Sequence, residues 1–197
     1  MKLEYWFDFA STYSYLSTMR IKALAEPLGI AIEWRPFLLG PIFRDQGWMD
    51  SPFNLFPAKG RYMWRDMERS CDRLAIPFRR PSQFPRNGLL AARIVCAHSR
   101  APWVPEFTRA VFRANFADDL DIADSAVLAQ LLGEVTTDAA AIIAAAQTEE
   151  SKLGLRKQTE LAARRQIFGA PSFIVNEELY WGNDRLEEAL EYAKQLR

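Results

Sequence analysis

The stretch that most constrains this chain is its opening, Leu3-Glu4-Tyr5-Trp6-Phe7-Asp8-Phe9-Ala10-Ser11-Thr12-Tyr13-Ser14-Tyr15-Leu16. Aromatic and apolar residues crowd its first half as in a strand, and a short polar loop then leads directly into a helical pattern. Leu16, Met19 and Ala23 supply an apolar face at helical spacing up to Pro27-Leu28-Gly29. Gly29 ends that helix, and Ile30-Ala31-Ile32-Glu33-Trp34-Arg35 reads as a second strand stopped at Pro36. Strand, helix, strand is a βαβ unit, which normally makes two parallel strands with a right-handed crossover. Ser11, Thr12 and Ser14 then fall at a helix entrance, where unpaired N–H groups and the positive end of the macrodipole can hold an anion, including a thiolate. The same hydroxyls are ordinary N-caps, and the local sequence alone does not separate the two uses.

From Leu38 to Gln166 the pattern changes to helical segments and Pro-rich joints with almost no alternation. Gly40-Pro41, Gly47 and Ser51-Pro52 predict an irregular, aromatic-lined loop from Phe43 to Phe56. Helices are expected near 59–74, 87–98, 105–115, 124–134, 137–146 and 149–166, with Asn87 and Asp124 as N-caps. Strand character returns at Phe168-Gly169-Ala170-Pro171-Ser172-Phe173-Ile174-Val175-Asn176, followed by a turn at Glu177-Glu178 and the run Leu179-Tyr180-Trp181. That is a hairpin with Pro171 at its first position, where its missing N–H is tolerated. Asn183 or Asp184 then caps a last amphipathic helix with Leu186, Ala189, Leu190, Ala193 and Leu196 facing inward. The expected architecture is α/β: residues 1–37 and 167–197 form one domain as βαβ and ββα, and residues 38–166 form an inserted helical domain.

Composition narrows the functional classes. With 25 basic and 25 acidic residues in 197, no net charge favours nucleic acid or an anionic membrane as partner. No apolar run approaches a membrane span, no signal segment opens the chain, and a cytoplasmic location is expected. Cys71 and Cys96 are far apart and lack a CxxC or metal-ligand spacing, so reduced thiols are expected. His98 stands alone at a helix end, which removes metal clusters and any Ser-His or Cys-His triad. Arg61, Arg65 and Arg69 recur beside Asp66, Glu68 and Asp72, as either a salt-bridged helix face or a carboxylate site. Tyr62 and Trp64 on the same segment could be core or pocket wall.

The arrangement resembles a thioredoxin-like fold with an all-helical insertion, as in the DsbA-like superfamily. Gly169-Ala170-Pro171-Ser172 is similar to that fold's cis-proline loop. Where a dithiol oxidoreductase carries Cys-x-x-Cys, this chain has Ser11-Thr12-Tyr13-Ser14, with no thiol pair to exchange. A narrower resemblance is to the kappa-class glutathione transferases and 2-hydroxychromene-2-carboxylate isomerases. It rests on Phe7-Asp8-Phe9-Ala10-Ser11-Thr12-Tyr13-Ser14-Tyr15-Leu16, on Phe168-Gly169-Ala170-Pro171, on Trp181-Gly182-Asn183-Asp184-Arg185-Leu186, and more loosely on residues 54–63. Members usually place proline where this chain has Thr12, which touches loop rigidity more than function.

That resemblance implies glutathione as cosubstrate. Ser11 would donate a hydrogen bond to its sulfur and, with the helix entrance, lower the thiol pKa. Ala170, beside Pro171, would pair with the cysteinyl backbone as an added strand does. Gly182, Asn183 and Asp184, next to Trp181, would receive the γ-glutamyl end, and Lys59 with Asn54 a remaining carboxylate. Phe43, Tyr62 and Trp64 would wall a pocket for an aromatic or apolar electrophile, and an arginine nearby could hold its carboxylate. The implied activity is isomerisation of an unsaturated aromatic ketoacid by reversible thiolate addition, with no metal. Conjugation of small electrophiles is the alternative, and a non-catalytic peptide-binding module a second one. A homodimer is also implied.

Overall fold

The computed structural model describes residues 1–196. Four strands, β1 (Lys2–Phe7), β2 (Ala31–Pro36), β3 (Ser172–Val175) and β4 (Glu178–Trp181), form one sheet in the order β2-β1-β3-β4. β1 runs parallel to β2 and antiparallel to β3, so the strands from the two ends of the chain meet at its centre. Helix α1 (Thr12–Ala25) makes the crossover between β1 and β2. The side chains of β1 alternate between two faces as those of a central strand must. Leu3, Tyr5 and Phe7 enter the large buried cluster, while Trp6 points to a smaller one with Phe37, Ile42, Ala162, Ile167 and Ile174.

Between β2 and β3 lie α2 (Leu39–Asp45), α3 (Pro52–Leu55), α4 (Pro57–Leu74), α5 (Leu89–Ala97), α6 (Val104–Phe116), α7 (Ser125–Gly133), α8 (Ala139–Ala146) and α9 (Glu149–Arg164). Helix α10 (Leu186–Gln195) closes the chain. The intervening helices share the sheet's large cluster: the Phe112 ring of α6 lies 5.9 Å from Phe7 and 5.0 Å from Phe9. Those rings fix the direction in which the chain leaves β1. Among the described residues, no helix is long and apolar enough to cross a membrane.

Four expectations are corrected. The irregular loop expected from Phe43 to Phe56 is confined to residues 46–51, because Pro41 and Pro52 both sit in first turns, where the missing N–H costs nothing, and Ser51 Oγ accepts the Phe53 N–H at 3.3 Å. Neither Asn183 nor Asp184 caps α10 through its side chain. A 3₁₀ turn over Asn183–Arg185 precedes that helix, and the Asn183 amide oxygen accepts instead from Ser17 Oγ at 3.1 Å and Arg20 Nη1 at 3.3 Å. Ala23 and Leu196 are exposed, since α1 buries the face of Tyr15, Thr18 and Ile21, and Leu196 follows the last helical residue. The hairpin turn lies one residue earlier than expected, at Asn176 and Glu177, whose φ values of 47° and 73° suit a two-residue connection.

Candidate active site

β1 delivers Asp8 to its end, and Phe9, Ala10 and Ser11 turn into α1. The turn is held from three sides. The Asp8 carboxylate accepts the Ala10 N–H and the Leu39 N–H, each at 2.8 Å, tying the entrance of α1 to the start of α2. The Asp8 carbonyl accepts the Ser11 N–H at 2.9 Å. Asn115 of α6 donates its amide to the Phe9 carbonyl at 3.0 Å, and Asn115 is itself gripped by Arg86, whose guanidinium pairs with Asp119. Burial pushes the Asp8 carboxyl above its ordinary pKa, against the pull of its two N–H donors.

Ser11 is the N-cap of α1. Its Oγ accepts the Ser14 N–H at 3.2 Å and donates to the Ala170 carbonyl at 3.0 Å, across 159 residues of sequence. Ala170 precedes Pro171 through a cis peptide bond. The turn after β1 and the start of the β3–β4 hairpin therefore touch at one hydroxyl.

Beside this contact opens a cavity of about 660 Å³, within the range of small-molecule sites. Ser11, Thr12, Gly169 and Ala170 stand at its sheet end, and Phe43, Trp48, Phe53 and Phe84 form the aromatic wall. The Phe43 and Trp48 rings are 5.6 Å apart. Arg44 and Lys59 also line it, and neither enters an ion pair among the described residues; Lys59 Nζ rests 4.7 Å from the centre of the Phe56 ring. A Cβ on Gly169 would meet Trp181 Nε1 at 2.3 Å, so only glycine lets the indole close this corner.

The residues anticipated from sequence divide accordingly. Ser11, Lys59, Ala170, Trp181 and Phe43 line the cavity. Asn54 stands behind the wall, donating to Asp50 at 3.1 Å. Tyr62 and Trp64 lie outside it, contrary to their expected place. Tyr62 is 62% exposed beside Arg69, and Trp64 packs edge-on against Phe84 at 4.8 Å with Arg80 over its other side. Trp64 thus supports a wall residue from behind. Arg65 and Arg69 pair with Glu68 and Asp66 on the exposed face of α4. Pro171, Gly182, Asn183 and Asp184 form the next layer: the Gly182 N–H binds the Pro171 carbonyl at 3.0 Å, and Asp184 is exposed to solvent.

Asp8 and Tyr13 were not anticipated as wall residues, and Arg44 and Trp48 only as members of the aromatic-lined loop from Phe43 to Phe56, although all four line the cavity. Asp8 alone carried a signal, as an acid between two phenylalanines of a buried strand. The Tyr13 hydroxyl donates to Asp66 at 3.0 Å, and burial raises its pKa. Neither cysteine lines the cavity, and burial pushes the Cys71 thiol up to about 12. Among the described residues, no group of His, Cys, Asp or Glu is arranged to hold a metal ion.

The sequence pattern of the DSBA-like thioredoxin domain matches residues 2–194. The chain is 27% identical over 186 residues to a 2-hydroxychromene-2-carboxylate isomerase of Sphingobium xenophagum, covering 94% of each chain. It is 25% identical over 199 residues to glutathione S-transferase kappa 1 of Rattus norvegicus, covering 94% of this chain and 87% of the other. A solved 2-hydroxychromene-2-carboxylate isomerase superimposes with a TM-score of 0.90 at 22% identity, over 100% of this chain and 96% of that one. The named relatives are enzymes of two kinds, isomerase and glutathione transferase, and they support an enzyme here.

Proposed function

The chain belongs to the DSBA-like thioredoxin-domain family, and we propose that within it the chain is a glutathione-dependent isomerase of an unsaturated aromatic ketoacid. The observation that carries this reading is a thiol-handling position without a thiol. Ser11 occupies the entrance of α1 beside Ala170 and cis-Pro171, and both cysteines lie elsewhere. The nucleophilic sulfur must then arrive from outside. Glutathione would supply it, adding reversibly to the unsaturated acid so that rotation about the former double bond can precede its release.

The residues present fit that cosubstrate. The Ala170 carbonyl is a backbone acceptor at a strand start, suited to the N–H of an extended cysteinyl residue. Its present donor is the Ser11 hydroxyl, so such a ligand frees that hydroxyl to turn to sulfur while the Ser11 oxygen keeps the Ser14 N–H. A hydrogen bond to a charged group contributes about 1.5–3 kcal/mol, which is roughly one to two pKa units on a thiol. Such a shift brings an ordinary thiol, near ~8.5, to neutrality. Lys59 is available for one glutathione carboxylate, Asn54 steadies the wall next to it, and Gly182, Asn183 and Asp184 lie towards the γ-glutamyl end. Phe43 and Trp48 offer aromatic surface to the second substrate, and Arg44 a guanidinium for its carboxylate. We place the enzyme in the reducing cytoplasm as a homodimer. Conjugation of small electrophiles uses the same thiolate and differs only in whether the adduct is released.

The test is an ultraviolet titration of thiolate with protein-bound glutathione. The expected result is a thiolate appearing one to two pH units below its value in free glutathione, lost in Ser11→Ala together with about 10²-fold in turnover. An absence of binding at millimolar glutathione would remove the reading.

A further inference from the structure

Thr12 is the first residue of α1 and lines the cavity next to Ser11. It is 1% exposed, and its hydroxyl has no hydrogen-bond partner. Buried hydroxyls are nearly always paired, and the neighbourhood explains why this one is not. The two carbonyls that a threonine here could reach backwards, those of Asp8 and Phe9, already accept from the Ser11 N–H at 2.9 Å and the Asn115 amide at 3.0 Å. The Ser14 N–H, the usual target of a hydroxyl at a helix start, is taken by Ser11 Oγ. The backbone groups nearest to it are already engaged, and the cavity is an open direction for the hydroxyl.

We infer that Thr12 is a second hydroxyl donor to the thiolate, acting beside Ser11. The inference rests on the glutathione reading and adds a ligand contact to it. The two hydroxyls are not equivalent. Ser11 must give up the Ala170 carbonyl before it can donate to sulfur, whereas Thr12 gives up nothing. Threonine near a helix start has two χ1 wells open to it, so one rotation carries the hydroxyl from its occluded position towards an acceptor in the cavity. A thiolate, with several lone pairs and the positive end of the α1 dipole behind it, can accept from both.

The test compares wild type with Thr12→Val, which keeps the shape and removes the hydroxyl, and with Thr12→Ser, which restores it. Without ligand, Thr12→Val should melt at the same temperature as wild type or slightly higher, since it deletes an unpaired buried group. With glutathione bound, its thiol should titrate about one pH unit higher than in wild type, roughly a tenfold fall in the thiolate-to-thiol ratio. Thr12→Ser should return the titration to the wild-type position. A bound thiol that titrates identically in wild type and Thr12→Val, while Ser11→Ala shifts it, overturns the role of Thr12 and leaves the glutathione reading standing. Failure of wild type itself to bind glutathione overturns both.

Discussion

Two helix entrances, that of α1 lining the cavity and that of α10 in the layer next to it, are built in opposite ways. The entrance of α1 is buried and braced: the Asp8 carboxylate, the Asn115 amide and the Ser11 hydroxyl each fix a different atom of it. The entrance of α10 is half-exposed and held by longer side chains, with Asn183 taking Ser17 and Arg20, and Arg185 paired with Glu188 and Asp184. Both offer N–H groups and a favourable dipole to an anion. The difference lies in how far a ligand atom can move once bound. A reacting sulfur must be held within a fraction of an ångström, which a braced entrance provides. The charged end of a peptide needs only to be attracted, and an exposed entrance suffices for that.

The largest way to break this contrast is to unbrace α1 from a distance. Arg86 is 5% exposed and supports Asn115, which holds the Phe9 carbonyl. Arg86→Ala removes the guanidinium that holds both Asn115 and Asp119 and should lower the midpoint of chemical denaturation more than the other substitutions proposed. It should also raise the titration point of bound thiol without touching the cavity. A variant that lost stability but kept the wild-type thiolate would show that the entrance does not need its brace. Pure surface behaviour, with no loss of stability, would contradict the network altogether.

A second prediction concerns acid. The Ser82 N–H, at 2.8 Å, and then the Arg86 guanidinium hold the Asp119 carboxyl down to about 2, below its ordinary 3.8. A folded-state value below the unfolded one means that the contribution is complete above the ordinary value and is lost as pH falls towards about 2. Wild type should therefore lose stability more steeply than Asp119→Asn between about pH 5 and about pH 2, measured as denaturant midpoints. Parallel slopes would mean that Asp119 is not the group that titrates.

The smallest effect belongs to α10. Asp184→Ala removes an exposed charge worth about 0.2–1 kcal/mol, so the KM for glutathione should rise no more than about fivefold with kcat unchanged. A fall in kcat instead would place this entrance among the groups that position the sulfur, and the contrast would collapse.

What could be read from the sequence follows the same division between local and long-range order. The strands were legible because β1 is central and alternates cleanly between two buried faces, and Gly29, with φ of 58°, ends the first helical segment where expected. Residues 43–56 were misread because proline and glycine look alike as breakers, although a proline in a first turn starts a helix rather than ending one. Tyr62 and Trp64 could not be placed because α4 carries aromatic residues on more than one face, and only its packing on α3 and on Phe84 says which side meets the cavity. A Cβ on Gly60 would sit 2.2 Å from the Phe53 carbonyl oxygen, so that packing depends on a glycine whose reason is invisible in one dimension. Asp8 and Arg44 become wall residues only when α2 folds back over the end of β1. The division into 1–37 with 167–197 and 38–166 is one we propose as a description of chain path, since a single buried cluster runs through both parts.

Cys71 is 1% exposed and Cys96 is mostly covered, and both lie apart from the cavity. On the proposed chemistry, the reactive thiol is a replaceable solute and never a fixture of the chain. Peroxide or an alkylating agent would then deplete a pool that the cell can regenerate, while the protein itself stays chemically intact. Activity should return on adding fresh glutathione, without resynthesis of the enzyme.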